Sequence, residues 1–308
     1  MIYVSQGHEK GIGLEVFLKA FLCFDSAFQE NFKLFTFKSS LENVLKSCSL
    51  DYIISEDNLS FYNTNLKLEL LEDDSEPQSS IALKSILNII NSKDHLVTLP
   101  TSKDQLIYNR ELVNGHTEYF RSHFKNQSIS MNFISPDFNC LLLTDHIAIS
   151  KIEETLTKEY ILNKVRVTLN QIQSFKNVDE VVFSGINPHN GENGLISNTD
   201  EVLNECIKEL KSEFPKLTFT GPYPADTIHM QGISANKLFI YASHDQGLAP
   251  YKLYNGLIGI NLCLGLPFLR TSVDHGTAFN LYGKNSANYL GMLYLLKSLR
   301  ESQKKAQN

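Results

Sequence analysis

The 308-residue chain lacks the features that would tie it to a membrane, a nucleic acid or an oxidising compartment. No stretch approaches the ~18 uninterrupted apolar residues of a membrane-crossing helix, and the start, MIYVSQGHEKGIG, has no basic segment followed by a long apolar run. A soluble, cytoplasmic protein with no membrane partner is the expectation. Basic excess is missing too: 28 Lys and Arg stand against 34 Asp and Glu, a formal charge of −6, and no basic stripe appears. A phosphate-backbone binder works by counterion release and needs such a stripe. Nucleic acid is therefore excluded as a partner, and a small molecule is expected. Cysteine is scarce: Cys23, Cys48, Cys140, Cys206 and Cys263 are odd in number, widely spaced and without a CxxC pair for zinc or disulfide exchange. They are expected to be reduced, with Cys23, Cys140 and Cys263 buried as small hydrophobes inside AFLCF, NCLLL and INLCLG. Internal repeats and low-complexity tracts are also absent.

What is present is a core-forming composition, 42% apolar and 20% charged, at a length that suits one large or two medium domains. Short β-rich runs alternate with longer helical stretches, the pattern of crossover-connected parallel strands. Strands are predicted at Met1–Ser5, Lys33–Phe37, Leu96–Leu99, Ser128–Ile134, Cys140–Thr144, Glu180–Ser184, Leu217–Thr220, Lys237–Ala242, Gly259–Leu264 and Phe268–Val273. Most are near-continuous apolar runs, as strands covered on both faces should be. Apolar residues at three- and four-residue spacing predict helices over Gly13–Phe24, Ser80–Ser92, Ile152–Phe175, Thr199–Phe214 and Ser286–Arg300. Asp200 and Glu201 open the fourth of these, as the helix dipole prefers. LEDDSEPQSS reads as a surface loop, and the polar end SQKKAQN is expected to fray.

In open α/β sheets ligands collect at the loops after the strand ends, and the unusual polar residues fall there. His146, His189 and His244 each follow an apolar strand closely. Each alone could be an ordinary hydrogen-bonded histidine, but three in Gly/Asn/Asp-rich loops point to a converging metal site with a position open for water or substrate. A cationic set comprises Lys252, Arg270 in PFLRTSVDHGT and Lys103 in LPTSKD. A planar guanidinium fork and a mobile ammonium suit phosphate or carboxylate, although surface charge would also explain Lys103. In Gly115-His116-Thr117-Glu118, Thr117 can cap the helix of TEYFRSHF, whose free N–H groups would attract an anion. Gly7–Gly13 (GHEKGIG) is a weaker phosphate candidate, because it lacks the full GxGxxG spacing.

Taken together, SGINPHNGENG, GPYPADT, SHDQGLAPYK, GINLCLGLPFLRTSVDHGTA and NGHTEYF resemble the 4-hydroxythreonine-4-phosphate dehydrogenase family of vitamin B6 synthesis. His189 and His244 are 55 residues apart, with Lys252, Asn261 and Arg270 following in register. The likeness is dense from about Pro100 to Asn288. Before that it is thin, with GHEKGIGLE where the family opens close to GDPAGIGPE.

The resemblance implies a two-lobed α/β/α fold of the isocitrate/isopropylmalate dehydrogenase-like kind. Residues 1–108 with 283–308 would form one lobe, and 109–282 the other, carrying the metal and substrate residues and the interface of a homodimer. It implies that His146, His189 and His244 bind a divalent metal (zinc, magnesium or cobalt) shared between subunits, and that His116, Thr117, Lys252, Asn261 and Arg270 hold the substrate. Asp226 and Asp245 match family positions near the site. The implied reaction is an NAD- or NADP-linked oxidation of a secondary alcohol to a β-keto acid that loses CO2 to give 3-amino-2-oxopropyl phosphate. Asp245 or Lys103 would be the general base, Asp245 alternatively an orienter of a ligand imidazole. Rival readings are a dehydrogenase of erythronate or threonate 4-phosphate, a three-histidine metal hydrolase, and a non-catalytic metabolite-binding protein.

Overall fold

A computed structural model describes residues 1–73 and 75–307. The chain forms two compact units: Met1–Asn126 with Leu266–Glu301, and Gln127–Gly265 with the segment from Ser302 onward. In chain order the strands are β1 (Ile2–Ser5), β2 (Phe32–Phe37), β3 (Tyr52–Ile54), β4 (Asn58–Phe61), β5 (Thr64–Leu71), β6 (His95–Thr98), the small pair β7 (Ile107–Tyr108) and β8 (Glu111–Leu112), β9 (Ser130–Ile134), β10 (Asn139–Leu142), β11 (Glu180–Ser184), β12 (Thr218–Tyr223), β13 (Lys237–Tyr241), β14 (Ile260–Leu264) and β15 (Leu269–Val273). The helices are α1 (Gly13–Phe21), α2 (Ser26–Gln29), α3 (Lys38–Ser47), α4 (Gln78–Leu87), α5 (His116–Phe124), α6 (Ile152–Thr155), α7 (Lys158–Ile172), α8 (Glu201–Glu213), α9 (His244–Asn255) and α10 (Leu290–Gln307). No helix among the described residues is long and apolar enough to cross a membrane.

The sheet of the first unit runs β15-β6-β1-β2-β5-β4-β3. β15, β6, β1, β2 and β5 run parallel to one another, and helices fill the connections β1–β2 and β5–β6, since parallel strands need a crossover. Val4, Leu34, Leu96 and Val97 are fully buried, as residues of strands covered on both faces must be. α1 is apolar nearly all round and is buried accordingly. Its one internal carboxylate, Glu15, accepts from the Ala287 N–H at 2.9 Å and pairs with Lys19 at 2.6 Å. β3 to β5 form an antiparallel extension that the apolar-run criterion passes over. β5 buries Leu66 and Leu68 while Asn65, Lys67 and Glu69 face solvent, so only one side is covered.

The sheet of the second unit runs β12-β11-β13-β10-β9-β14. The expected all-parallel pattern fails at β9, which is antiparallel to both β10 and β14. Only residues 135–138 join β9 to β10, too few for a crossover. Ser135 closes that turn by accepting from the Phe138 N–H at 2.9 Å and donating to its carbonyl at 2.7 Å. The helix predicted over Ile152–Phe175 is split, because Thr157 caps α7 by accepting from the Tyr160 N–H.

Three further expectations are corrected. Cys23 is exposed just beyond α1, whereas Cys140, Cys206 and Cys263 are buried; all five are free thiols. The polar end does not fray after Arg300: α10 continues to Gln307, with Ser302 donating to the Ser174 carbonyl and Lys305 to Asn177. The boundaries also shift, because β15 pairs with β6 and α5 packs on β7, so Arg270, His116 and Thr117 lie in the first unit rather than the second.

Candidate functional site

In the second unit the loop after β10 carries His146 and the first residue of α9 is His244, and β10 and β13 are adjacent parallel strands. The two imidazoles therefore meet, with ring centroids 5.4 Å apart. His244 Nδ1 is 2.7 Å from Asp245 Oδ1. The contact suits the tautomer in which Nδ1 donates to the carboxylate and Nε2 is the nitrogen open to a metal. His189 does not join the pair: among the described residues no three His, Cys, Asp or Glu side chains form a metal-holding group.

His189 lies in a loop of rare geometry. From His189 to Asn193 the backbone is left-handed, with φ between 49 and 73°, a conformation unfavourable for residues with a Cβ. Gly191 is required there, since a Cβ would sit 2.0 Å from the Ser197 carbonyl oxygen. Two carboxylates hold the loop. Asp200, 4% exposed, accepts from the Ile186 N–H at 2.6 Å, the Asn187 N–H at 3.3 Å and Asn187 Nδ2 at 3.0 Å. Glu153, on α6 just beyond the His146 loop, accepts from Asn187 Nδ2 at 2.8 Å, Ser197 Oγ at 3.1 Å and Thr199 Oγ1 at 2.7 Å. The hydrogen bonds from Thr199, Asn187 and Ser197 hold its carboxyl below the usual range. Asp200 and Glu153 thus position His189. Asp200 read in the sequence only as a helix-opening charge, and Glu153 carried no signal.

The first unit brings together two of the side chains expected to hold an anion, Arg270 and His116. Arg270 on β15 is 2% exposed, donates through Nε and Nη2 to Thr98 Oγ1 at the end of β6, and lies over the Phe120 ring at 5.7 Å. His116, the first residue of α5, stacks on the same Phe120. Burial, with the nearby Arg270 charge, pushes its imidazole well below the ordinary range, so it is neutral at physiological pH. A buried guanidinium beside a neutral imidazole at a helix N-terminus suits a phosphate or carboxylate. Thr117 is buried in the first turn of α5 and does not cap it; the capping position is Gly115, at φ 97°.

The remaining residues are dispersed. Lys103 is exposed at the start of a short 3-10 turn. Lys252 is exposed in the last turn of α9, Asn261 is half-buried on β14 opposite Phe133, and Asp226 is exposed after β12. Several amides of the Gly7–Gly13 loop are engaged within the protein, Lys10 N with His8 Nδ1 among them. His8 N donates to the Pro100 carbonyl, Gly11 N to that of His8 and Ile12 N to that of Thr277. Gly7 is there for close approach, since a Cβ would stand 2.1 Å from the Pro100 oxygen.

A two-unit α/β chain with its polar side chains in strand-end loops has the architecture of the isocitrate dehydrogenase fold. An isocitrate dehydrogenase from Methylococcus capsulatus superposes with a TM-score of 0.50 at 13% identity, over 98% of this chain and 86% of that one. A 4-hydroxythreonine-4-phosphate dehydrogenase from Klebsiella pneumoniae fits more closely, with a TM-score of 0.75 and 24% identity over 98% and 99% of the two chains. The model of the family described as pyridoxal phosphate biosynthetic protein PdxA matches residues 53–297, and the chain belongs to that family. The 4-hydroxythreonine-4-phosphate dehydrogenase of Sulfurimonas denitrificans is 30% identical over 305 residues, 96% of each chain. A D-threonate 4-phosphate dehydrogenase of Bordetella bronchiseptica is 32% identical over 197 residues, 63% of this chain and 56% of that protein.

Proposed function

We propose that the chain is a cytoplasmic, homodimeric, metal-dependent dehydrogenase that oxidises 4-hydroxythreonine 4-phosphate with NAD or NADP. The product β-keto acid decarboxylates to 3-amino-2-oxopropyl phosphate in vitamin B6 synthesis. The observation that carries this reading is the pairing of His146 with a His244 whose Nδ1 meets the Asp245 carboxylate, in a chain of the PdxA family.

A divalent cation such as zinc, magnesium or cobalt would be held by His146 and His244 together with His189, which does not join them within one chain, so the ligand set would be completed across the dimer. Such a cation would supply Lewis-acid stabilisation of the negative charge that develops on the substrate oxygen. Arg270 and the neutral His116 fix the anionic end of the substrate, with Thr117, Lys252 and Asn261 completing its contacts. This clamping turns binding energy into orientation of the carbon that loses hydride. Asp245 is engaged with His244 and acts by orientation, which leaves proton removal to Lys103, whose exposed side chain would serve as the base through its neutral amine form.

A second reading, oxidation of threonate or erythronate 4-phosphate, is favoured by the Bordetella relative's name. Incubating the protein with each substrate and following reduced nicotinamide by absorbance separates the two. The proposal expects the higher kcat/KM with hydroxythreonine phosphate. A preference for threonate phosphate would transfer the assignment, and no reduction with any of them would favour a hydrolase or a binding protein.

A further inference from the structure

In the first unit β15 and β6 run parallel, with Arg270 opposite Leu96. Paired residues of neighbouring strands point to the same face, and so does every second residue along a strand, so Thr98 shares a face with Arg270 and stands roughly 7 Å further along. An arginine side chain reaches that far, and Nε and Nη2 of Arg270 both donate to the one Thr98 hydroxyl oxygen. Thr98 is fully buried and Arg270 nearly so. A buried guanidinium needs acceptors to hold it, and one oxygen shared by two of its donors fixes the plane and direction of the fork. The second fixing element is aromatic. Phe120, fully buried on α5, has the Arg270 guanidinium carbon 5.7 Å over its ring and the His116 imidazole stacked at a centroid separation of 6.4 Å. Phe124, 6.5 Å from Phe120, meets Phe268 at 5.9 Å, two residues before Arg270. A run of rings therefore ties α5 to β15.

We propose that Thr98 and Phe120 are positioning residues for the anionic end of the substrate, Thr98 by aiming the Arg270 fork and Phe120 by holding that fork and the His116 imidazole at a set separation. This rests on the reading above, in which Arg270 and His116 grip that anion. Neither residue need touch the substrate. An arginine on a flexible stem loses rotamer freedom when it closes on a phosphate or carboxylate, and a fork already held loses less, so the preset geometry is expressed as tighter binding. Threonine suits the first task, because its β-branched side chain is stiff at χ1 and sits in a strand without strain. Phenylalanine suits the second, because its ring face attracts a guanidinium and takes none of the N–H donors that the anion needs.

Inorganic phosphate is the probe, titrated calorimetrically into the full-length protein, with steady-state kinetics on 4-hydroxythreonine 4-phosphate and the melting temperature measured beside it. Thr98→Val keeps the shape and removes the acceptor, and should weaken phosphate binding by about tenfold, as the loss of a hydrogen bond to a charged group does. KM for the phosphorylated substrate should rise with it, most of the loss lying in KM rather than kcat, while KM for the nicotinamide cofactor stays as it was. Thr98→Ser keeps the hydroxyl and should recover most of the affinity. Phe120→Leu should weaken phosphate binding severalfold, and carries the test by itself if Thr98→Val does not fold. Because Thr98 acts through Arg270, adding Thr98→Val to Arg270→Ala should raise KM no further. Additive losses in that double variant, or phosphate bound by folded Thr98→Val or Phe120→Leu as tightly as by the wild type, would overturn the proposal. So would equal rises in KM for substrate and cofactor with a lowered melting temperature, the mark of a purely structural role. Phosphate binding that follows the expected order in a protein without turnover would uphold the positioning and remove the dehydrogenase reading instead.

Discussion

Replacing Asp200 with alanine isolates the cost of holding the His189 loop. The carboxylate is 4% exposed and accepts from two backbone amides, those of Ile186 and Asn187, and from the Asn187 side chain. The Asn187 amide can fall back on Glu153 and Thr199, so the uncompensated loss is the two backbone donors. Hydrogen bonds to a charged group are worth about 1.5–3 kcal/mol each; with the Asn187 N–H at 3.3 Å the low end applies, so Asp200→Ala should cost about 3 kcal/mol. At roughly 2–4 °C per kcal/mol for a unit of this size, the melting temperature should fall by about 6–12 °C. Asp200→Asn keeps one acceptor oxygen and should lose about half as much. Scanning calorimetry with urea denaturation gives both numbers, and a loss below about 1 kcal/mol for the alanine variant would refute the anchoring argument. Metal affinity measured by titration should fall in the same variant, because His189 is carried by the loop that Asp200 ties down.

Other consequences are equally open to measurement. Arg270→Ala should raise KM for a phosphorylated substrate by at least about tenfold, which is about 1.4 kcal/mol of lost binding; an unchanged KM would place the anion elsewhere. Desolvation pushes His95 down to about 4, against about 6.5 in an unfolded chain. The unfolded state therefore takes up the proton first, so the stability due to neutral His95 is complete above pH 6.5 and lost as pH falls toward 4. The total is about 3 kcal/mol, and His95→Asn should flatten the urea-midpoint profile over that window if burial is the cause. Because the metal site is proposed to be shared between subunits, dilution to monomer in sedimentation should abolish turnover, and a fully active monomer would contradict it.

The parallel core was legible because its strands bury both faces and read as unbroken apolar runs, as in VVFS of β11 and KLFIY of β13. β5, covered on one face, alternates, and the antiparallel β3–β5 extension went unread with it. Direction was invisible at β9, where a four-residue turn rather than composition decides the pairing. The site residues were legible as types, since imidazoles and a guanidinium after apolar runs are unusual. What holds them was not: Asp200 reaches back 14 residues to Ile186, and Glu153 reaches 46 residues to Thr199, and no periodicity records such contacts. Gly7 and Gly13 of GHEKGIG illustrate the converse, part of a phosphate-like pattern that close packing against Leu99 and Pro100 accounts for.

The central claim is that imidazoles on three strand-end loops serve a metal-dependent oxidation of a phosphorylated hydroxy acid. The most direct test follows reduced nicotinamide with 4-hydroxythreonine 4-phosphate for the wild type and His189→Ala, each with chelator and then with added divalent metal. The account predicts turnover by the wild type that chelation abolishes and metal restores, and a folded His189→Ala that metal does not rescue. Wild-type turnover indifferent to chelation, or a His189→Ala variant as fast as the wild type, would contradict it.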